Sequence, residues 1–253
     1  TTVYLTRIDN HKLFYPLNCS ITLGDFPMNA THVVTFTHYL YVINNLPFDF
    51  SLVPVTSDKV DSINSNYNNI EKLKNEIEMD SQFLLKDCFY VVPCKKENDD
   101  KNSKENCVLI NCVPKNAMFL FSVSAFPNNP IIQLNEITRT IFMMKNRKDI
   151  IYIELNIYED KSTLYAHFQL PTFPVPLIIN NSLRVPVYVH QNIQPNKNKL
   201  IIQADTSSLF AFTEPFINNK ELKIEIEKET ETENKEKEYV EFLFSMEEQL
   251  SPL

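Results

Sequence analysis

Apolar and polar residues alternate with a period of two along most of the chain. Across residues 151–158, four aliphatic side chains interleave with polar or aromatic ones, and residues 164–170 show the same pattern. Because successive side chains of a β-strand point to opposite faces of its sheet, each segment is typical of a strand with one buried face. The short polar segment between them predicts a β-hairpin with Asp160 and Lys161 at the turn.

Many further short segments have strand character, and one has helical character. Strands are predicted at 20–23, 32–36, 39–43, 48–55, 88–92, 108–112, 118–123, 131–134, 183–189, 200–203, 209–212, 222–226 and 239–244. This number of short strands predicts an all-β sandwich or barrel. Residues Ile70, Leu73 and Ile77 fall at helical spacing, so one short surface helix is expected at 68–79, within an insertion at 57–80.

The chain also carries an internal repeat. Residues 39–45 and 175–181 each run from an aliphatic segment into an Asn-Asn pair, which matches Asn180 to Asn44 at an offset of 136 residues. An alternating strand follows each pair, with a one-residue slip in phase that a β-bulge would absorb. The repeat predicts tandem β-sandwich units that stack and share a core with their neighbours.

The repeat also sets the expected domain boundaries. Residues 1–37 are predicted to be the terminal strands of a preceding unit, 38–171 a complete unit, and 172–253 most of a second unit. A weaker similarity between 118–134 and 209–224, at an offset near 90 residues, supports the same division.

Asn44 and Asn180 are the candidate fold-defining residues of this repeat. An asparagine side chain offers two donor hydrogens and an acceptor oxygen, so at a strand end it can bond main-chain groups that would otherwise be unpaired. A second role remains open, in which an amide at an accessible seam between units helps to hold a partner segment.

Composition excludes several functional classes. Lys and Arg total 24 against 32 Asp and Glu, a formal net charge of −8, which opposes sequence-independent binding to nucleic acid or anionic lipid. The chain has one glycine, Gly24, whereas phosphate-binding loops, dinucleotide-binding turns and nucleophile elbows need several.

No catalytic, metal or cofactor site is predicted. The five histidines are scattered, and many of the carboxylates lie in the polar segments 95–106 and 227–238, where nothing would desolvate them. The five cysteines form no C-x-x-C motif and favour buried thiols, although Cys94 and Cys107 could form a disulfide in a secreted protein.

Two segments resemble a known family. The aliphatic strand, Asn and alternating strand of residues 176–191, and the aromatic and acidic-Pro segment 209–215, with Phe212 where Trp is common, are similar to repeats of the adaptor-binding (VAB) domain. That domain belongs to the vacuolar protein sorting thirteen family of bridge-like lipid transfer proteins. The resemblance covers most of residues 32–226.

The resemblance implies a function in recruitment. It implies an array of β-sandwich units, each with a characteristic Asn matched here by Asn44 and Asn180, that binds Pro-x-Pro motifs of adaptor proteins. The lipid transfer protein is thereby recruited from the cytoplasm to organelle membranes and membrane contact sites, without a small-molecule substrate or nucleic acid.

A proline-containing peptide that adds to a sheet edge would meet outward-facing side chains, and Tyr188 and His190, opposite Val187 and Val189, are the candidate contacts. Two alternatives remain open: a secreted, disulfide-containing, adhesin-like β-sandwich, and a β-sandwich that binds lipid directly.

Overall fold

The computed structural model describes residues 2–6, 13–23, 31–55, 90–94, 106–110, 113–114, 118–127, 129–146, 148–193, 199–216, 220–227 and 239–246. Within these ranges the chain is all-β, as predicted, with nineteen strands in several sheets and no helix. The predicted helix at 68–79 lies outside the described residues. In the described part, no helix has the length and apolar character needed to cross a membrane.

The strands are β1 (Thr2–Thr6), β2 (Leu13–Leu23), β3 (His32–His38), β4 (Leu40–Asn44), β5 (Phe50–Pro54), β6 (Tyr90–Val92), β7 (Cys107–Ile110), β8 (Val113–Pro114), β9 (Met118–Ser122), β10 (Ile131–Gln133), β11 (Thr138–Lys145), β12 (Ile150–Asp160), β13 (Thr163–Gln169), β14 (Leu177–Asn181), β15 (Val187–Gln191), β16 (Leu200–Ile202), β17 (Thr206–Phe210), β18 (Glu221–Glu227) and β19 (Tyr239–Ser245).

Two sheets enclose the larger apolar cluster, here called the first core. One has the order β11-β12-β13-β4-β7 and the other the order β10-β9-β5-β6, and inward side chains of both belong to the same cluster. Its centre is aromatic, with ring centroids of Phe50, Phe121, Phe142 and Phe168 between 4.7 and 5.4 Å apart in tilted, stacked and edge-on pairs. Such pairs add to the free energy gained by apolar burial.

A second apolar cluster, the second core, lies on the other side of β11. It is formed by the four-stranded sheet β16-β15-β18-β19 and the two-stranded sheet β14-β17. Ile141 and Met143 of β11 belong to this second core, whereas the intervening Phe142 and Met144 belong to the first. Strand β11 therefore has both faces buried and is shared between the two cores.

A further sheet precedes the first core in the chain. Strands β1, β2 and β3 pair in that order, and β8 adds to β2. Strand β3 ends at His38 and β4 begins at Leu40, so this sheet leads directly into the first core.

The predicted hairpin is confirmed, with its turn one residue later than expected. Strands β12 and β13 pair up to Asp160 opposite Thr163, which leaves Lys161 and Ser162 as the two turn residues. Both have positive φ, 49° and 65°, the sign pattern of a type I′ turn that suits the twist of a hairpin. Residues with a Cβ are strained in this region, and the sequence does not supply the usual Asn-Gly.

Candidate functional site

Asn44 forms a hydrogen-bonded corner at the end of β4. Its side chain is fully buried, its Oδ1 accepts from the Leu46 amide at 2.9 Å, and its Nδ2 donates to Phe48 O at 2.9 Å and Val92 O at 3.0 Å. One amide therefore pairs three main-chain groups and ties the turn after β4 to β6. Unpaired buried main-chain groups are costly, so this side chain fixes the corner.

Asn181 forms the same corner at the end of β14. Its Oδ1 accepts from the Leu183 amide at 3.0 Å, and its Nδ2 donates to Val185 O at 2.9 Å. The same nitrogen lies 3.0 Å from both Ile202 O and Gln203 O on β16 and just after it. The sequence spacing of the bonded groups, two and four residues after the asparagine, is the same at both corners.

The prediction gave this role to Asn180, and the structure gives these hydrogen bonds to Asn181. Asn180 is exposed, because alternate residues of β14 face the second core and the even-numbered ones face away. Matching Asn181 to Asn44 changes the offset to 137 residues, and Phe50 then matches Val187 without the predicted slip in phase. The bulge is therefore unnecessary, and the agreement in strand phase at an offset of 137 is the sequence signal that could have pointed to Asn181.

Strand pairing around the two corners follows the same registers. Leu40 pairs with Ile110 as Leu177 pairs with Phe210, and Phe50 pairs with Val92 as Val187 pairs with Ile202. Strand β9 pairs with β5 as β18 pairs with β15. The predicted match of 118–134 to 209–224 is therefore wrong, because β18, rather than β17, holds the position of β9.

His190 is not on an open surface. It is 4% exposed, with Nε2 3.2 Å from Glu225 Oε1 and Nδ1 2.9 Å from Gln191 O, and Lys199 pairs with the other oxygen of Glu225. Burial alone would raise the pKa of Glu225, but its hydrogen bonds to Lys199 and His190 outweigh burial and hold that pKa below its ordinary value. This cluster pins β15 to β16 and β18.

Tyr188, the other candidate contact, is half-buried beside the same cluster. Its ring meets Tyr239 edge-on at 5.6 Å, and its hydroxyl lies 3.5 Å from Glu227 Oε2. Both candidate side chains do face away from Val187 and Val189, as predicted. Their packing makes them parts of a sheet surface and leaves His190 unable to touch a peptide without rearrangement.

A groove with a cavity volume of about 290 Å³ lies at the seam between the two cores. Gln133 and residues 136–140 line one side, and Pro215, Phe216 and Lys220 line the other. Ile137 is 66% exposed there, so the groove, here called the seam groove, combines apolar and charged side chains.

Glu214 fixes the wall of the seam groove that carries Pro215. Gln191 bonds both main-chain groups of this buried glutamate, accepting from its amide at 2.9 Å and donating to its carbonyl at 3.1 Å. Oε2 of Glu214 accepts from the Ile131 amide of β10 at 2.8 Å, which joins the wall to the first core. The acidic-Pro segment singled out in the sequence is thus a joint between the cores.

Arg139 borders the seam groove and is held in place by a buried carboxylate. Its Nε donates to Glu154 Oε1 at 2.8 Å, its Nη2 donates to Thr172 Oγ1 at 2.8 Å, and its guanidinium lies 4.1 Å from the centroid of Phe173. Burial would raise the pKa of Glu154, but hydrogen bonds from Thr172 and Arg139 outweigh it and lower that pKa. Arg139 keeps half of its side chain exposed.

The edge of β11 runs along the seam groove. Among the described residues β11 pairs with β12 on one side, and on its other side the Met143 amide donates to Phe212 O at 3.1 Å. Because amide directions alternate along a strand, those of Arg139 and Ile141 point to the same side as that of Met143. The first half of β11 therefore presents main-chain groups toward the seam groove.

The described residues contain neither a metal-binding cluster nor a disulfide. No group of three or more His, Cys, Asp or Glu residues there could hold a metal ion. Cys94 and Cys107, the pair considered for a disulfide, carry thiols and are half-buried.

Comparisons with known proteins leave the family open. No protein-family model matches this chain, and no curated protein matches it either.

Proposed function

We propose that this chain is a non-catalytic protein-interaction module built of tandem β-sandwich units, and that it binds extended, proline-containing segments of adaptor proteins. In this proposal residues 38–171 form a complete unit, 172–253 most of a second, and 1–37 the closing strands of another. The support is the pair of corners at Asn44 and Asn181, which share their hydrogen bonds, spacing and surrounding registers at one offset.

The seam groove is the observation that carries the binding role. An extended peptide can add its main chain to the edge of β11, where Arg139 lines the groove and its amide points away from β12. Proline rings fit beside Ile137, Pro215 and Phe216, and the fixed φ of proline lowers the entropy lost when an extended segment binds. A Pro-x-Pro segment leaves its central residue free to pair with the strand edge.

The cellular role that we propose follows from the resemblance to the VAB domain. The module would recruit a bridge-like lipid transfer protein from the cytoplasm to organelle membranes and contact sites by holding an adaptor. The net charge of −8 supports recruitment through a protein rather than through direct contact with anionic lipid.

The test is a titration of the chain with synthetic Pro-x-Pro peptides, followed by calorimetry. We expect saturable binding that is lost when both prolines are replaced by alanine. Ile137→Lys places a charge against the apolar part of the groove and should weaken binding about tenfold, which corresponds to roughly 1.4 kcal/mol.

Ile201→Lys is the matched control, because Ile201 is 49% exposed on β16, outside the residues that line the groove, and should bind as the unchanged chain does. Equal loss of affinity in both variants, or unchanged affinity in Ile137→Lys, would refute the seam groove as the site. An absence of binding to every peptide in the panel would refute the function.

A further inference from the structure

Strand β14 is paired on one edge only among the described residues, whereas the corresponding strand of the first core, β4, is paired on both edges. Strand β4 pairs with β7 on one side and, in parallel, with β13 on the other. Strand β14 pairs with β17, and its other edge has no strand partner in the described part of the chain. Among the described strands, the edge that β13 fills on β4 therefore has no counterpart on β14.

The parallel pairing of β13 with β4 shows what such an edge accepts. Leu164 lies opposite Leu40, and the register continues to Phe168 opposite Asn44. The Asn45 amide donates to Phe168 O at 2.7 Å and the Leu164 amide to Tyr39 O at 2.9 Å, which extends the ladder at both ends.

Strand β3 has the same relation to β2 that β13 has to β12. Cys19 pairs with Phe36 as Leu155 pairs with Phe168, and Ile21 pairs with Val34 as Ile157 pairs with Ala166, so the apolar faces of the two hairpins correspond. In the described residues the edge of β3 away from β2 has no strand partner. By this correspondence, β3 carries the partner edge that β14 lacks.

We propose that β3 of a second copy of this chain adds in parallel to β14, so that copies associate head to tail. The register follows from that of β13 on β4 when the apolar faces are matched: His32 lies opposite Leu177, Val34 opposite Ile179, and Phe36 opposite Asn181. The inference rests on the unit correspondence in the proposed function and is independent of peptide binding.

Both edges have the composition of strands that pair. Neither β3 nor β14 contains a charged residue or a proline, the features that commonly protect an exposed edge from pairing. Ile178 is 65% exposed and Val33 is 43% exposed, and the proposed register sets them side by side, while Val34 and Phe36 face the second core. Burial of Ile178 and Val33 is favourable.

The proposed contact would give the second core a covering sheet like the one that already covers the first core within the chain. Ile132 of β10 faces the first core, where it is fully buried in one cluster with residues of the sheet that contains β11, β12 and β13. Phe244 of β19 holds the corresponding position, opposite Leu222 as Ile132 is opposite Phe119, yet it is 49% exposed. The β1-β2-β3 sheet of an incoming copy would cover this side of the second core.

The experiment measures molar mass by light scattering across a range of protein concentrations. We expect oligomers that grow with concentration, because a head-to-tail contact does not close on itself in pairs. Val34→Lys and Ile178→Lys each block one edge and should be monomeric alone. Mixed together they should form a dimer and no larger species, because the first variant retains β14 and the second retains β3.

Ile201→Lys, at the exposed position of β16, is the control that should associate like the unchanged chain, and matched circular dichroism spectra verify folding. A monomer at every concentration, a mixture that stays monomeric, or association blocked by Ile178→Lys and unaffected by Val34→Lys would overturn the proposal. A monomer that still binds Pro-x-Pro peptides would leave the proposed function standing.

Discussion

Replacement of Asn181 by alanine tests the corner directly, because its neighbour Asn180 is a built-in control. Asn181 is 5% exposed and serves the Leu183 amide and the carbonyls of Val185, Ile202 and Gln203. The exposed Asn180 shares its residue type and its strand. The two variants therefore remove the same atoms from buried and exposed positions of one element.

The magnitude follows from the groups left without a partner. Alanine leaves the Ile202 carbonyl without its buried side-chain partner, and an unpaired buried group costs roughly 1 to 3 kcal/mol. The Leu183 amide and the carbonyls of Val185 and Gln203 are bonded in part-buried positions, where water can replace the lost bonds in part. We expect Asn181→Ala to lower the free energy of unfolding by about 2 to 4 kcal/mol, and Asn180→Ala to change it by less than about 0.5 kcal/mol.

The assay is urea unfolding followed by far-ultraviolet circular dichroism, since the chain contains no tryptophan. Asn44→Ala should give a loss similar to that of Asn181→Ala, because Asn44 makes the same bonds while fully buried. Equal effects of Asn180→Ala and Asn181→Ala, or an Asn181→Ala variant as stable as the unchanged chain, would refute the reasoning.

Three further predictions concern stability. The pKa values of Glu154 and Glu225 are lowered in the folded chain, so these carboxylates add to the free energy of unfolding above the ordinary carboxyl pKa, and this stabilisation is lost as the pH falls through the folded pKa values. Glu154→Gln should therefore reduce the fall of the unfolding free energy at acidic pH, and an unchanged fall would contradict this. Ser162→Gly relieves a positive φ and should stabilise the hairpin by about 0.5 to 1 kcal/mol in urea unfolding, whereas destabilisation would contradict the assigned turn. Phe168→Ala leaves a cavity in the aromatic centre of the first core and should lower the free energy of unfolding by about 3 to 5 kcal/mol. Val91 is 54% exposed, so Val91→Ala should change it little, and similar values for both variants would count against this core.

Strands with one buried face were readable from the sequence, and the strand with two buried faces was not. In β12 the aliphatic residues alternate because one side faces the first core. In β11 the run from Ile141 to Met144 is continuously apolar because its two faces lie in different cores. A run without alternation gives no strand periodicity, so the sequence pattern does not predict β11, although this strand joins the two cores.

The seam groove could not be predicted from the sequence, for a different reason. The aromatic and acidic-Pro segment was noticed, but the partner of Glu214 is the Ile131 amide, 83 residues away. Likewise, the side of β15 on which His190 lies was predictable from alternation, whereas its burial depends on Glu225, which a separate strand supplies. Contacts across strands are set by register, and register is not a local property.

The sequence alone determined that this chain is all-β, where its hairpin lies, and that similar strand patterns recur along it, because side-chain alternation is a local consequence of burial on one face. Only the tertiary structure decided that Asn181 rather than Asn180 holds the second corner, that β11 serves both cores, and that a groove opens at their seam. Those features depend on which main-chain groups meet across strands far apart in the chain, and the need to pair buried polar groups is satisfied only once the sheets have assembled.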